Sequence, residues 1–131
     1  MREKAHAVAY RILVVDDDAD SREVLGRLLE FDGYHVETAQ HGTEALELLA
    51  GRSYDVILSD MRMPRISGGA LYRRIERGWP HLAPRVVFVT ADRLTEAFQA
   101  QHGGGTVPVL TKPFTLNQIR QVLTSVIARA G

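Results

Sequence analysis

Three short runs in this chain are apolar at nearly every position and then stop abruptly at a polar residue. Ile12-Leu13-Val14-Val15 ends at Asp16, Asp55-Val56-Ile57-Leu58-Ser59 ends at Asp60, and Val86-Val87-Phe88-Val89 ends at Thr90. A strand with one wet face alternates apolar and polar residues, whereas a run without alternation is covered on both faces. Longer stretches of helical spacing separate the runs. Asp20 or Ser21 can cap a helix with Val24, Leu25, Leu28 and Leu29 on its apolar side, closed by Gly33. Tyr34 to Ala39 reads as a second strand and Thr43 to Ala50 as a short helix. Pro64 and the pair Gly68-Gly69 mark a loop, followed by a helix through Leu71, Tyr72 and Ile75 that ends near Gly78. A weaker helix from about Leu94 to Gln101, a connector at Gly103 to Gly105 and a fifth strand from Val107 to Leu110 come next. The last helix places Leu116, Ile119, Val122, Leu123, Val126 and Ile127 on its buried side. Five strand–helix units of this kind predict an α/β fold: a doubly wound, five-stranded parallel sheet with helices on both faces.

Length and composition agree with one domain. The chain has 131 residues, 45% of them hydrophobic, with 16 Lys and Arg against 16 Asp and Glu. The balanced charge leaves no basic footprint for nucleic acid and no electrostatic reason to bind an anionic membrane. The absence of cysteine excludes disulfide scaffolds, Cys-zinc sites and thiol catalysis. No apolar run approaches a membrane span, and the start lacks the apolar core of a signal peptide. These features predict a cytoplasmic domain over residues 11–130 preceded by a tail or linker at residues 1–10.

The chemistry-bearing residues cluster at the carboxyl ends of the strands. Asp16, Asp17 and Asp18 follow the first, Asp60 the third, Thr90 the fourth and Lys112 the fifth. That edge of an open parallel sheet is where ligands bind, at the switch point between strands. In a 2-1-3-4-5 order the acids after strands one and three converge. Carboxylates so close raise each other's pKa, and a hard divalent cation relieves the conflict. All-oxygen ligands without cysteine fit Mg2+ best. With Lys112 and Thr90 nearby, phosphoryl oxygens can be held while an aspartate attacks phosphorus. Any one of these aspartates, taken alone, is more ordinarily a cap or turn residue, and Asp20 is expected to be a cap.

The four tracts Ile12 to Asp18, Asp55 to Pro64, Val87 to Ala91 and Thr111-Lys112-Pro113-Phe114, in this order and spacing, resemble the receiver domain of bacterial two-component response regulators. The tract Arg85 to Asp92 and the glycine-rich passage before Lys112 look most like receivers attached to hybrid sensor histidine kinases. The resemblance implies a flavodoxin-like fold with sheet order 2-1-3-4-5. It implies that Asp60 accepts a phosphoryl group from the phosphohistidine of a histidine kinase or histidine phosphotransfer domain. Asp17 would then coordinate Mg2+ directly, Asp16 largely through water, and Asp60 and the backbone carbonyl of Arg62 would complete the protein ligands. Lys112 would pair with the phosphoryl group, Thr90 would turn its hydroxyl towards it, Gly68 would close the loop after the acceptor, and Pro113 would follow a cis peptide bond. Such a domain assists its own phosphorylation and dephosphorylation but is not an enzyme in the ordinary sense. Its output passes to a partner or attached kinase domain, without direct contact to nucleic acid or membrane, and a homodimer through the last helix and fifth strand is one arrangement the resemblance allows.

One position departs from the family pattern. Val109 stands three residues before Lys112, where the family places an aromatic switch residue, so a swinging ring cannot carry the signal. Arg62 and Asp92 carry opposite charges at positions that flank the phosphoryl group in receivers; either they pair across its mouth, which would slow hydrolysis, or they are two independent solvated side chains. Two other classes fit parts of the sequence. A phosphohydrolase of the haloacid dehalogenase type would use Asp16-Asp17-Asp18 as its Asp-x-Asp motif, but Asp20 stands where that family has Thr or Val. An interaction module with a silent site is the other. His6, His35, His41, His81 and His102 show no metal spacing and read as surface residues. Gly103 to Gly105 lacks the Gly-Lys-Ser/Thr of a phosphate loop. Trp79-Pro80 is expected to pack over the end of the third helix, and Arg73, Arg74 and Arg77 to form a solvated helix face rather than a docking patch.

Overall fold

A computed structural model describes residues 10–91 and 107–128. Asp92, the helix expected from Leu94 to Gln101, the connector at Gly103 to Gly105 and the first nine residues of the expected tail lie outside the described residues. Strands β1 (Arg11–Val15), β2 (His35–Ala39), β3 (Val56–Ser59), β4 (Val86–Thr90) and β5 (Val109–Thr111) form a single parallel sheet in the order β2-β1-β3-β4-β5. Helices α1 (Ala19–Phe31), α2 (Gly42–Gly51), α3 (Gly68–Gly78) and α4 (Leu116–Ile127) cover it, and a 3-10 turn (Pro80–Arg85) leads into β4. This is the doubly wound arrangement expected from the apolar runs.

Side-chain alternation divides the core into two layers. Leu13, Val15, Ile57, Val86 and Phe88 point to one face and pack against Ala45 and Leu49 of α2 and Leu71 and Ile75 of α3. Ile12, Val14, Val56, Leu58, Val87 and Val89 point to the other, against Leu25 and Leu29 of α1 and Ile119, Leu123 and Val126 of α4. Each fully buried Leu, Ile or Phe contributes about 1.5–3 kcal/mol by leaving water. The residues that make the runs continuous are therefore those that glue helices to both faces.

The structure corrects several local expectations. Asp18, not Asp20 or Ser21, caps α1: its Oδ2 accepts from the Ser21 N–H at 3.1 Å and the Ser21 hydroxyl at 2.7 Å. Asp20 lies in the first helical turn, where its charge favours the positive end of the dipole. Val24 is 58% exposed, so the buried stripe of α1 runs through Leu25 and Leu29. The Gly68-Gly69 pair is the first turn of α3, not a loop, because the Ser67 side chain caps the Ala70 N–H at 3.1 Å. The fifth strand starts at Val109 and includes Thr111, two residues beyond the expected start. Trp79 caps the end of α3, its N–H donating to the Ile75 carbonyl at 2.8 Å, and packs against the α2–α3 layer as expected.

Candidate functional site

The strand register assembles the site. Val15 pairs with Ser59 across β1 and β3, so the next residues, Asp16 and Asp60, emerge side by side. Thr90 pairs with Thr111 across β4 and β5, which sets Lys112 one residue past the sheet on the same edge. Backbone bonds fix these exits: the Asp16 N–H donates to the Ala39 carbonyl at 3.1 Å, the Asp60 N–H to the Val15 carbonyl at 2.9 Å, and the Lys112 N–H to the Thr90 carbonyl at 3.0 Å. Carboxylate oxygens of Asp16, Asp17 and Asp60 lie within 4.8 Å of one another. Residues 96 apart in sequence thus meet at one point, where the Lys112 Nζ donates to the Asp16 Oδ2 at 3.1 Å.

Each acid has a different environment. Asp16 is only 4% exposed. Its Oδ1 accepts from the Asp18 N–H at 2.9 Å, and the Arg22 guanidinium donates to its carbonyl at 2.7 Å. Asp17 is exposed. Asp60 is half-buried, and burial, reinforced by the Asp16 charge, pushes its carboxyl above the ordinary carboxylate value. Lys112, the Arg62 N–H at 3.3 Å and the Thr90 hydroxyl pull in the opposite direction without cancelling the rise. A pocket of acids that raises a carboxyl pKa while keeping a lysine at hand is suited to a hard cation: the donors are all oxygen and their mutual repulsion is what a cation removes. Asp18 stands apart from this group. Its carboxylate is committed to Ser21, whose hydrogen bonds hold its pKa below the usual value.

Asp60, Arg62, Thr90, Ala91 and Lys112 line a shallow cleft of about 390 Å³ that opens to solvent. Thr90 is 2% exposed, at the floor. The loop after Asp60 is held by the Gly68 N–H, which donates to the Met61 carbonyl at 2.8 Å, and the Lys112–Pro113 peptide is cis. The structure therefore brings together Asp16, Asp17, Asp60, Arg62, Thr90 and Lys112, all six site residues expected from the sequence. Sequence reasoning missed Arg22, which anchors the Asp16 carbonyl from the first turns of α1. Its only signal is a position six residues past Asp16, a spacing that means nothing until the helix direction is known. His41, expected only as a surface residue, caps α2: its Nδ1 accepts from the Glu44 N–H at 3.2 Å.

A fold of this topology with three acids, a threonine and a lysine at the carboxyl edge defines a phosphate-handling α/β signalling domain. The family model of the response regulator receiver domain matches residues 12–124. The chain belongs to the response regulator receiver domain family, the receivers of two-component systems. It is 38% identical over 121 residues to the response regulator MprA of Mycobacterium sp. (strain KMS), covering 92% of this chain and 52% of that protein. It is 36% identical over 122 residues to MprA of Mycobacterium tuberculosis (strain H37Rv), covering 93% of this chain and 52% of the relative. The chain thus spans about half the length of these curated relatives. A receiver domain from Clostridium thermocellum superposes with a TM-score of 0.80 at 32% identity, over 92% of this chain and 94% of the other. The response regulator TrrA of Thermotoga maritima, solved in complex with Mg2+-BeF, superposes with a TM-score of 0.78 at 27% identity, over 89% and 98%.

Proposed function

We propose that this chain takes a phosphoryl group onto Asp60 from a phosphohistidine and signals through the resulting acyl phosphate. The observation that carries this reading is the convergence of Asp16, Asp17 and Asp60 within 4.8 Å beside Lys112 and above the buried Thr90. An Asp60 carboxylate oxygen forms the new P–O bond while the P–N bond to the donor imidazole breaks, its electron pair staying on nitrogen. Asp16, Asp17, Asp60 and the Arg62 backbone carbonyl would hold Mg2+, which when bound offsets the negative charge of the phosphoryl oxygens. Lys112 would exchange its Asp16 partner for a phosphoryl oxygen, and the Thr90 hydroxyl, which faces Asp60, would follow it. No substrate turnover beyond acceptance and loss of this group is needed.

The donor is a histidine kinase or histidine phosphotransfer domain. Val24, 58% exposed on α1, and an apolar cleft lined by Leu28, Pro113 and Phe114 beside Asp16 and Lys112 offer it a surface next to the acceptor, and Phe31, 79% exposed, adds apolar surface at the far end of α1. Output runs through the β5–α4 face, to a partner, a second copy or an attached kinase domain of the hybrid type. Val109, half-buried beside the α2–α3 layer, presents no ring, so the signal starts at Thr90 and Lys112 themselves. The expected Arg62–Asp92 pairing involves a residue outside the described residues. Intact-mass measurement in Mg2+ with a small acyl phosphate donor tests the reading: a gain of about 80 Da, one phosphoryl group, is expected in the natural chain and its absence in Asp60→Asn. Equal phosphorylation of Asp60→Asn would reject the acceptor.

A further inference from the structure

A net charge of zero hides a segregation along the chain. Residues 11–60 carry twelve Asp and Glu against four Arg, whereas residues 61–91 carry six Arg against one Glu. Arg73, Arg74 and Arg77 are exposed on α3, on the side away from the buried Leu71, Tyr72 and Ile75. Arg73 and Arg77 are four residues apart, and Arg74 and Arg77 three, so like charges neighbour each other at spacings that weaken a helix. Glu76, the one acid in this stretch, is hydrogen-bonded by the Tyr72 hydroxyl. Just before α3, the exposed Arg65 adopts φ 70°, a left-handed conformation that glycine or asparagine reaches at lower cost. A strained residue kept with a long cationic side chain is an outlier that points to use of that side chain.

Against the purely solvated face expected from the sequence, we propose that the basic strip of Arg73, Arg74 and Arg77, with Arg65 in the loop before α3, is a docking surface for a short acidic segment of a partner protein. This goes beyond acceptance of a phosphoryl group at Asp60. Eleven helical residues span about 16 Å, the reach of roughly five extended residues. A longer polyanion meets opposition, because α2, beside α3 on the same sheet face, carries the exposed Glu47. A short run of Asp and Glu matches the strip without crossing onto α2, whereas a nucleic-acid duplex would overrun it. The strip also starts at the loop that leaves Asp60, so an occupant lies beside the acceptor cleft without filling it.

The test is fluorescence anisotropy of a blocked, labelled eight-residue peptide of six Glu and two Ser, titrated with the full chain in low salt. Saturable binding is expected, weakened by salt and weakened at least tenfold by the triple variant Arg73→Gln, Arg74→Gln, Arg77→Gln. The corresponding triple Lys variant should retain most of the affinity, and Arg27→Gln on α1 all of it. Amide shifts should centre on residues 65–78. If the Gln triple variant fails to fold, the single variants Arg74→Gln and Arg77→Gln carry the test with at least twofold losses each. Absence of saturable binding, binding indifferent to these variants, or tighter binding of a 12-base-pair DNA duplex than of the peptide would overturn the proposal.

Discussion

Gly68 sits where a methyl group has no room. A Cβ there would lie 2.4 Å from the Asp60 carbonyl oxygen and 2.7 Å from the Met61 Cα, both backbone atoms of the acceptor loop. Gly68→Ala must therefore push the loop itself. We expect it to cost about 1–3 kcal/mol in urea denaturation, as overpacking does, and to slow Mg2+-dependent phosphorylation of Asp60. An alanine variant with unchanged stability and acceptor chemistry would show that the contact is relaxed at no cost. Asp60 gives a second prediction at this scale. Its carboxyl titrates above the ordinary value in the folded chain, so the folded state holds its proton to higher pH than the unfolded state. Stability then falls as pH rises from the ordinary carboxylate value through the folded one. Asp60→Asn removes that dependence. In chelator the variant should melt higher than the natural chain at neutral pH, and the gain should shrink as pH falls through the ordinary carboxylate value. A variant that melts lower at pH 7 would contradict the assigned strain.

Among the elements, α1 combines one strong local signal with one weak one. Asp18 supplies the cap, and Asp18→Ala should lower stability by removing it. Gly26 lies inside the helix and is buried, yet a Cβ there would meet only the Val36 Cγ1 at an ordinary 3.7 Å. Gly26→Ala should stabilise the chain by up to about 1 kcal/mol, the helix-propensity difference. Equilibrium denaturation of both variants checks the pair; a destabilising alanine at 26 would mean that α1 and β2 pack more tightly than this contact indicates. Far from the site, Arg120 of α4 makes a bidentate bridge to Asp32 at the end of α1, both bonds at 2.8 Å, and holds the Asp32 carboxyl below its usual range. The bridge ties together the two helices that cover one face of the sheet.

For the molecule as a whole, the three clustered acids predict coupling between cation binding and stability. A cation that binds only the folded chain stabilises it by mass action. Saturating Mg2+ should raise the melting temperature of the natural chain, and Asp17→Asn, which removes the exposed carboxylate of the cluster, should abolish most of the rise. Natural and variant melting curves equally indifferent to Mg2+ would count against the site. At this scale no helix among the described residues is long and apolar enough to cross a membrane.

The fold class was written in composition and pattern. Runs such as Ile12 to Val15 lack alternation because both sides of the sheet are covered, and that property is local to each strand. The candidates for the site were equally local: Asp16, Asp17, Asp60, Thr90 and Lys112 follow or end apolar strands, and a polar residue at such a break is readable one strand at a time. What no single stretch contained was the choice among neighbouring acids. By pattern alone Asp16, Asp17, Asp18 and Asp20 look alike, and only the resemblance to receivers set Asp16 and Asp17 apart; in the structure the direction in which α1 leaves β1 turns Asp18 onto Ser21 and leaves Asp16 and Asp17 facing Asp60. The bond from Lys112 to Asp16, the Arg22 anchor and the Arg120–Asp32 bridge were likewise invisible. Each joins groups whose distance is set by how helices dock on the sheet, and docking is a property of the packed core rather than of any segment's own preference.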